Sequence, residues 1–290
     1  MLTIFTTPKN FDGIFYTIQN NALGSWRALS PDIEIIIFGN SKGSKKTAKK
    51  INAKYVPEVR CSPRGVPYLS DLFYKASNIA KYSILMFINA DIILPDNFLS
   101  IVEITSQSFS KFLMVGYRWD MDVVDIVDFH NQTESELFWE GARKKGLKHA
   151  CTGIDYFVFR KNSFKDFPDF AIGRPGYDNW LIWYSRRCFI PVIDSSSKVM
   201  VVHQNHNFNF HNLNSDPKII PEADGLMNQE LHKGRTLNLL DANYHLVNER
   251  IEKKRSREFI NRNLGKLPII FPEFSLPLII YKKLYRKYLL

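Results

Sequence analysis

A short polar break interrupts the most apolar part of the sequence. The run 84–88 (ILMFI) ends in Asn89, Ala90 and Asp91, and a second apolar run follows. Such a run predicts a strand buried on both faces, whose end would present Asp91 at the ligand-binding edge of an α/β sheet. A carboxylate there suits Mg²⁺ or Mn²⁺, and phosphate oxygens would complete the coordination shell of the ion. A cap on the next helix explains Asp91 equally well, although Asp96 is the more natural cap.

A second segment with catalytic potential is 173–180 (GRPGYDNW), in which Asp178 opens a helical run. An aspartate in this position is most often a helix cap. It is also suited to act as a general base that takes a proton from a hydroxyl, provided that its cleft is largely dehydrated. Tyr177 and Trp180 would supply that environment. We assign Asp178 as the catalytic candidate, and Tyr177, Asn179 and Trp180 as candidate acceptor contacts.

Two histidines lie at the end of a third apolar run, 199–207 (VMVVHQNHN). An imidazole at a strand end is a credible ligand for Mn²⁺, whereas an isolated HxxH pair is weak support for zinc. His203 ends the apolar alternation and is the metal-ligand candidate. His206 follows in a polar loop, where we expect contact with the acceptor. A histidine at the edge of the core is the alternative for either residue.

The remaining candidates follow other predicted strands. Thr6, Thr7 and Pro8 end the first strand and Asn40 ends the second, where they could contact a nucleotide base and ribose. Asp71, at the start of the helix before the central strand, is assigned to the same donor site.

Three candidates on the acceptor side lie further along the chain. Trp119 and Asp120 end another predicted strand, and Asp155 precedes the strand at 156–160. Asp120 is the member of a local acidic run that we expect to point inward. Asp155 could hold a turn as easily as it could bind a sugar.

The elements that must position these residues alternate along the first hundred residues. Apolar runs at 2–7, 34–38 and 84–88 are separated by segments with helical spacing. This βαβ rhythm predicts a mostly parallel sheet with helices on both faces. After residue 110 the strands are separated by longer, aromatic-rich connections, which indicate the substrate-facing half.

The predicted fold is therefore α/β with one catalytic domain over 1–215, divided into a nucleotide half (1–110) and an acceptor half (111–215). Residues 216–290 are predicted to form a helical extension with a basic, aromatic tail. The net charge of +10 lies mostly there, because residues 250–290 contain eleven Lys and Arg against three Glu. With the body almost neutral, we expect no nucleic-acid binding.

Cysteine usage and the N-terminus bear on location. Three scattered cysteines without a CxxC pair indicate neither a disulfide framework nor a thiolate zinc site. No segment has the pattern of a signal peptide or a spanning helix. We expect a cytoplasmic protein.

Taken together, these motifs resemble the GT-A-type glycosyltransferases, especially the family-2-like inverting bacterial enzymes. The resemblance covers about residues 1–210, with its elements in TIFTTPK, EIIIFGN, FINADIIL, GYDNW and HQNH. It implies a GT-A fold and transfer of a sugar from a nucleotide-diphosphate donor to an acceptor hydroxyl with inversion, in the assembly of a surface polysaccharide or glycolipid.

The resemblance also implies roles for the candidate residues. Asn89-Ala90-Asp91 matches the Asp-x-Asp motif, so that Asp91 would bind Mn²⁺ or Mg²⁺ and the donor diphosphate; Asn89 is a departure from that pattern. Asp178 matches the base of inverting members, and His203 a late metal ligand of some of them. The implied partners are the nucleotide-diphosphate sugar and a saccharide or lipid-linked saccharide acceptor. A second copy of the chain, in a homodimer, is a further candidate partner.

The segment 267–290 combines apolar, aromatic and basic residues with three prolines. It suits attachment to an anionic membrane surface, and covering an apolar patch of the protein is the alternative. Two other functional classes are alternatives for the whole chain. A sugar nucleotidyltransferase would need a glycine-rich phosphate loop near the N-terminus, and a non-catalytic anionic-surface or nucleic-acid binding protein would need basic residues across its body.

Overall fold

A computed structural model describes residues 1–206 and 223–274 of the chain. It confirms the predicted α/β class. Eight helices lie in these ranges: α1 (Gly13–Leu29), α2 (Ser44–Lys50), α3 (Leu69–Ile79), α4 (Phe98–Ser108), α5 (Gln132–Lys145), α6 (Tyr177–Arg187), α7 (Ala223–His232) and α8 (Arg257–Ile270). Within the described ranges, no helix is both long enough and apolar enough to cross a membrane.

The larger sheet has nine strands in the described residues, in the order β13-β12-β10-β6-β9-β4-β1-β2-β3. Neighbouring strands run parallel except at β9, which is antiparallel to both neighbours, and at the β12–β13 hairpin. The strands are β1 (Leu2–Thr6), β2 (Glu34–Phe38), β3 (Lys54–Val56), β4 (Ile84–Ile88), β6 (Leu113–Val115), β9 (Tyr156–Arg160), β10 (Val192–Asp194), β12 (Tyr244–Val247) and β13 (Arg250–Lys253).

A smaller sheet lies beside the end of β4. Its order is β5 (Ile92–Ile93), β11 (Val201–Gln204), β7 (Arg118–Met121) and β8 (Leu147–Lys148). In β7 and β11, which pair in parallel, His203 lies opposite Asp120 and Val202 lies opposite Trp119. Because side chains alternate along a strand, His203 and Asp120 share one face of this sheet.

The central strand β4 explains why the fold is stable around the site. Its side chains are buried alternately in two cores, with Met86 and Ile88 in one and Phe87 in the other. Each fully buried side chain of this size contributes about 1.5–3 kcal/mol to folding. The apolar run therefore predicts a strand covered on both faces, and the structure confirms it.

The C-terminal extension differs from the helical segment predicted for 216–290. Strands β12 and β13 extend the edge of the large sheet through pairing with β10. Asn248 and Glu249, which join them, both have positive φ angles of 45° and 63°. Two such residues form the tight turn whose twist suits a hairpin. Residues 275–290 of the predicted tail lie outside the described residues.

Candidate functional site

The end of β4 is held in place by backbone contacts from β11. Gln204, which is fully buried, donates from its backbone N–H (3.2 Å) and its Nε2 (3.1 Å) to the carbonyl of Asp91. The same side chain bonds Ile18 in α1. These bonds fix the backbone of Asp91 at the carboxyl edge of the large sheet, as the sequence predicts.

Asp91, His203 and His206 form a cluster at this edge, with their ligand atoms all within 4.8 Å of one another. Asp91 Oδ2 lies 3.1 Å from His206 Nε2 and 3.7 Å from His203 Nε2. Burial favours a raised pKa for Asp91, but the His206 hydrogen bond and His203 outweigh it and lower the pKa to about 2. The carboxylate is therefore ionised at neutral pH.

The chemistry of the cluster fits a divalent cation. Asp91 Oδ1 is buried and has no hydrogen-bond partner in residues 1–206 and 223–274. A buried carboxylate oxygen without a partner is costly and calls for a ligand. One carboxylate with two imidazoles is a donor set that suits Mn²⁺.

Asp120 lies behind the cluster and orients it. Its Oδ1 is 3.0 Å from His203 Nδ1, and its Oδ2 accepts from His149 Nδ1 at 2.6 Å. Arg118 Nε is also 3.0 Å from Oδ1. Burial tends to raise the pKa of Asp120, but His203, Arg118 and His149 hold it well below its usual range. A carboxylate on Nδ1 leaves Nε2 of His203 facing Asp91, which is the common arrangement behind a metal-bound histidine.

A second set of contacts connects the end of β4 to the start of α6. Asp155 accepts from Asn89 Nδ2 at 2.7 Å and from Arg118 Nη1 at 2.8 Å. Burial raises the pKa of the Tyr177 hydroxyl well above its usual value, and the nearby Asn89 side chain counteracts this shift. The two ends of the site are thereby joined through Asn89 and Asp155.

Asp178 lies in the first turn of α6, next to Tyr177. Burial raises the pKa of its carboxyl to about 7, Asp155 adds to the shift, and the backbone N–H groups of Asn179, Asp178 and Gly176 oppose it. A carboxylate with a pKa near 7 can take up a proton at neutral pH far better than an ordinary aspartate.

Lys9 lies near both Asp91 and Arg174. Burial lowers the pKa of the Lys9 ammonium to about 8, Asp91 counteracts this shift, and Arg174 adds to it. Lys9 follows β1, whereas Arg174 lies in the loop before α6, so they approach from different segments. Beside the cluster is a cavity of about 560 Å³ whose lining includes Arg118, Asp120, His149, His203 and His206.

The predicted donor residues lie at the ends of β1 and β2. A Cβ on Gly39 would come within 3.2 Å of Thr7 Oγ1, and Ser41 donates to the carbonyl of Pro8, so the two loops lie against each other. Asn40 is exposed between them, and Thr6 is buried at the strand end.

Asp71 has a structural role that the sequence did not indicate. Its Oδ2 accepts from the backbone N–H of Arg60 and from Lys75, both at 2.8 Å. These bonds tie the segment before α3 to that helix. A donor contact by Asp71 remains a prediction.

Among the predicted acceptor contacts, the structure brings Asp120, Asp155, Tyr177 and His206 into the network around Asp91 and Asp178. Ala90, assigned to the donor, lies between Asn89 and Asp91 and is mostly buried. His206 contacts Asp91, which differs from the acceptor role expected from its polar loop. Strand β11 ends at Gln204, and the residues that follow it bring His206 back to the cluster.

Trp119 and Trp180 are placed elsewhere. Trp119 lies on the face of β7 opposite Asp120. Trp180 is a core residue, with its ring centroid 5.2 Å from Phe167 and 5.4 Å from Phe170, and it is only 3% exposed. The helical period puts Trp180 on the inward face of α6. Asn179 accepts Leu237 N–H on its backbone carbonyl, and its Nδ2 is buried without a partner among the described residues.

The sequence interpretation did not select Lys9, Arg118, His149 or Arg174. Lys9 stands in the TTPK segment that ends the first strand, and Arg174 stands four residues before Asp178. A basic residue next to a strand-end or acidic motif is the sequence signal that could have identified Lys9 and Arg174. For His149 no local pattern exists, since 29 positions separate it from Asp120.

No family model matches the chain, and no curated protein matches it. Similar solved structures include glucosyl-3-phosphoglycerate synthase from Mycobacterium tuberculosis in complex with Mn²⁺, uridine-diphosphate and glucosyl-3-phosphoglycerate. That likeness has 13% identity, 88% coverage of this chain, 87% of the other and a TM-score of 0.46. A structure of TarS residues 1–349 from S. aureus in complex with UDP-GlcNAc has 10% identity and a TM-score of 0.32, and the match covers 41% of this chain and 35% of the TarS chain. Because these TM-scores are below 0.5, the function of the chain is inferred from its own site.

Proposed function

We propose that the chain is a metal-dependent glycosyltransferase that moves a sugar from a nucleotide-diphosphate donor to an acceptor hydroxyl with inversion. The observation that carries this proposal is the convergence of Asp91, His203 and His206 at the carboxyl edge of the sheet. Asn89 and Asp155 join that cluster to Asp178. A cation site and a base in one cleft are the parts that single-displacement sugar transfer requires.

Asp91, His203 and His206 would hold Mn²⁺ or Mg²⁺. The bound ion would supply positive charge to the diphosphate as negative charge builds on the departing oxygen. Asp120 keeps His203 Nε2 turned towards Asp91, so the protein orients these ligands before the donor binds.

Lys9 and Arg174 would bind the donor diphosphate from its other side. Lys9 lies close to both Asp91 and Arg174, so this positive charge would attract a diphosphate bound at the cluster. Thr6, Thr7, Pro8 and Asn40, at the ends of β1 and β2, would contact the base and ribose.

Asp178 would act on the acceptor. A pKa of about 7 lets its carboxylate accept the proton of the attacking hydroxyl at neutral pH. Backbone N–H groups at the start of α6 orient the carboxylate, and Tyr177 shields it from water. A direct attack opposite the leaving diphosphate inverts the anomeric centre without a protein nucleophile.

The biological setting is part of the same proposal. The acceptor would be a saccharide or a lipid-linked saccharide in the assembly of a surface polysaccharide or glycolipid, at the cytoplasmic face of the inner membrane. The basic segment 267–290 would contact anionic lipid, although residues 275–290 lie outside the described residues. Pairing of two copies is a further element of the proposal.

A donor screen tests the proposed activity. UDP-, GDP-, dTDP- and CMP-sugars would be incubated with the protein and Mn²⁺, and release of the nucleotide would be measured. We expect turnover with one donor class and an inverted linkage in the product by NMR. Retention of configuration would contradict direct displacement, and synthesis of a nucleotide sugar from a sugar phosphate would favour the nucleotidyltransferase alternative.

A further inference from the structure

Two amide side chains, Asn21 of α1 and Gln204 of β11, are buried against each other close to the metal cluster. Both residues are 0% exposed, although both are polar. Asn21 Nδ2 donates to Gln204 Oε1 over 3.1 Å. We call these two residues the amide pair. A buried amide costs free energy unless its hydrogen-bonding groups find partners, so two of them side by side call for an explanation.

Gln204 joins the amide pair to the metal cluster. Its Nε2 donates to the carbonyl of Asp91 at 3.1 Å and to that of Ile18 in α1 at 2.8 Å. Its backbone N–H also donates to the Asp91 carbonyl. His203 and His206 lie one residue before Gln204 and two residues after it. The backbone that carries all three members of the cluster is therefore fixed at Gln204.

Asn21 joins the same pair to a wall of the cavity beside the cluster. Its Oδ1 accepts from the backbone N–H of Val127 at 2.9 Å, and its Nδ2 donates to the carbonyl of Asp125 at 2.8 Å. The residues just before this segment, 122–124, line the cavity of about 560 Å³. Asn21 thus holds the segment that forms one wall of that cavity.

The hydrogen bonds of the amide pair allow one arrangement of the two side chains. All four N–H donors are used, and both amide oxygens accept a bond. If either amide were turned over, its oxygen would face a carbonyl oxygen instead of an N–H group. A buried polar network whose members are all satisfied is rigid for this reason.

We propose that the amide pair is a positioning device that sets the affinity of the cluster for its cation and couples the cluster to the cavity wall. The proposal rests on the proposed function in that it treats Asp91, His203 and His206 as metal ligands. Gln204 acts on the cluster by holding the Asp91 backbone, and Asn21 acts by holding Gln204. Partners that orient metal ligands in this way contribute about 10- to 100-fold in metal affinity.

Mn²⁺ binding to the full chain tests the proposal without donor or turnover. Electron paramagnetic resonance measures free Mn²⁺ during titration of the wild type, Gln204→Met and Asn21→Leu. Both changes keep the approximate size of the side chain and add no charge, so the measured affinity reports the lost hydrogen bonds. Thr105→Val is the control, because Thr105 is also fully buried and bonds the Ile101 carbonyl at 2.8 Å, in α4. Circular dichroism and the melting temperature verify that each variant is folded.

We expect Gln204→Met to raise the Kd for Mn²⁺ about tenfold or more, and Asn21→Leu to raise it by a smaller factor. The double variant should resemble Gln204→Met alone, because both changes break one network. Gln204→Asn keeps the amide but shortens its reach, and it replaces Gln204→Met if that variant does not fold. Unchanged Mn²⁺ affinity in the Gln204 variant would overturn the proposal. An equal loss in Thr105→Val would do so too, since the effect would then be general destabilisation.

Hydrogen exchange tests the coupling to the cavity wall. In Gln204→Met, Asn21 loses the acceptor of one of its N–H groups, so its hold on the segment 125–127 weakens. We expect the Val127 amide to lose protection in this variant and to keep it in Thr105→Val. Unchanged protection of Val127 in Gln204→Met would overturn the coupling.

The Mn²⁺ titration separates this proposal from the proposed function. A wild type that binds Mn²⁺ and an Asp91→Ala variant that does not, with no turnover of any nucleotide sugar, would remove the proposed function and leave the amide pair standing. A wild type that binds no Mn²⁺ would overturn both.

Discussion

Asn89 Nδ2 donates to Asp155 Oδ1 over 2.7 Å, and Asn89 also counteracts the rise in the pKa of Tyr177 that burial causes. The amide at this position therefore interacts with the segment before β9 on one side and with α6 on the other. This pairing gives the Asn89 amide a role that a carboxylate could not fill. A carboxylate at position 89 would face Asp155 without the N–H donor, and two carboxylates that share a site repel each other.

Asn89→Asp, although it restores the acidic motif, should reduce activity. The repulsion from Asp155 would displace Tyr177 and the start of α6, and a displacement of this kind costs up to about 10²-fold in turnover. Steady-state kinetics would measure the loss. The reciprocal pair Asn89→Asp with Asp155→Asn should restore most of the turnover, since it reverses donor and acceptor. Higher activity in the single variant would show that Asn89 is a weakened ligand instead.

Asp178→Asn removes the proton acceptor and keeps the shape of the side chain. Turnover should fall by about 10² to 10⁴, with little change in donor binding. In the wild type, turnover should rise with pH through about 7 as the carboxyl loses its proton. A helix cap without catalytic function would leave both the rate and the pH profile near those of the wild type.

The same residue should make stability depend on pH. Its pKa is about 7 in the folded protein and about 3.8 when unfolded, so the folded state binds the proton more strongly. Stability gained from this group is complete below pH 4 and lost as pH rises through 7. Asp178→Asn should therefore raise the free energy of unfolding at pH 8 by roughly 1–4 kcal/mol, since one pKa unit corresponds to about 1.4 kcal/mol. Urea unfolding at pH 8 would measure this difference in the free energy of unfolding. A variant less stable than the wild type would contradict the expectation.

His203→Ala and His206→Ala should each raise the Mn²⁺ concentration needed for half-maximal activity. His206 Nε2 lies 3.1 Å and His203 Nε2 lies 3.7 Å from Asp91 Oδ2, so we expect an effect from His206→Ala at least as large as that from His203→Ala. Asp120→Asn should raise the Mn²⁺ concentration for half-maximal activity by about 10- to 100-fold, because Asp120 orients His203. His130→Ala, an exposed histidine outside the cluster, is the control. A normal metal curve in His206→Ala would return that residue to the acceptor side.

Lys9→Gln and Arg174→Gln should weaken donor binding. Lys9 lies near Asp91 and Arg174 lies near Lys9, and each change removes one positive charge, so KM for the donor should rise about tenfold or more, with a smaller change in kcat. Lys45→Gln on α2 is a matched change of an exposed lysine. An unchanged KM in both site variants would exclude these cations from the diphosphate site.

The spacing of apolar residues predicts the strands and helices that position the site, because burial of those residues determines where strands and helices form. The strand at 84–88, the helix that begins at Tyr177 and the placement of Asp91 at the sheet edge follow from apolar runs and their polar ends. Contacts between distant segments have no such local signal. The Asp120–His149 bond depends on the pairing of β7 with β8, and the Asn89–Asp155 bond depends on the pairing of β4 with β9.

The core position of Trp180 has no clear local signal. Its neighbours Tyr177 and Asp178 lie at the candidate site, whereas its own position in the helical period turns its ring into an aromatic core, and a contact with the acceptor stays a prediction. The strand pair β12–β13 lies in a segment whose most prominent sequence feature is its net charge. Its four-residue strands and their turn could have been predicted from local alternation.

The most direct test of the central claim compares nucleotide-sugar turnover in the wild type and in Asp91→Ala, each with Mn²⁺ and with EDTA. Asp91 supplies the carboxylate of the cluster, and its Oδ1 is buried without a hydrogen-bond partner among the described residues. The account predicts turnover only in the wild type with the metal, and an unchanged circular dichroism spectrum in the variant. Full wild-type activity in EDTA, or normal activity in Asp91→Ala, would contradict it.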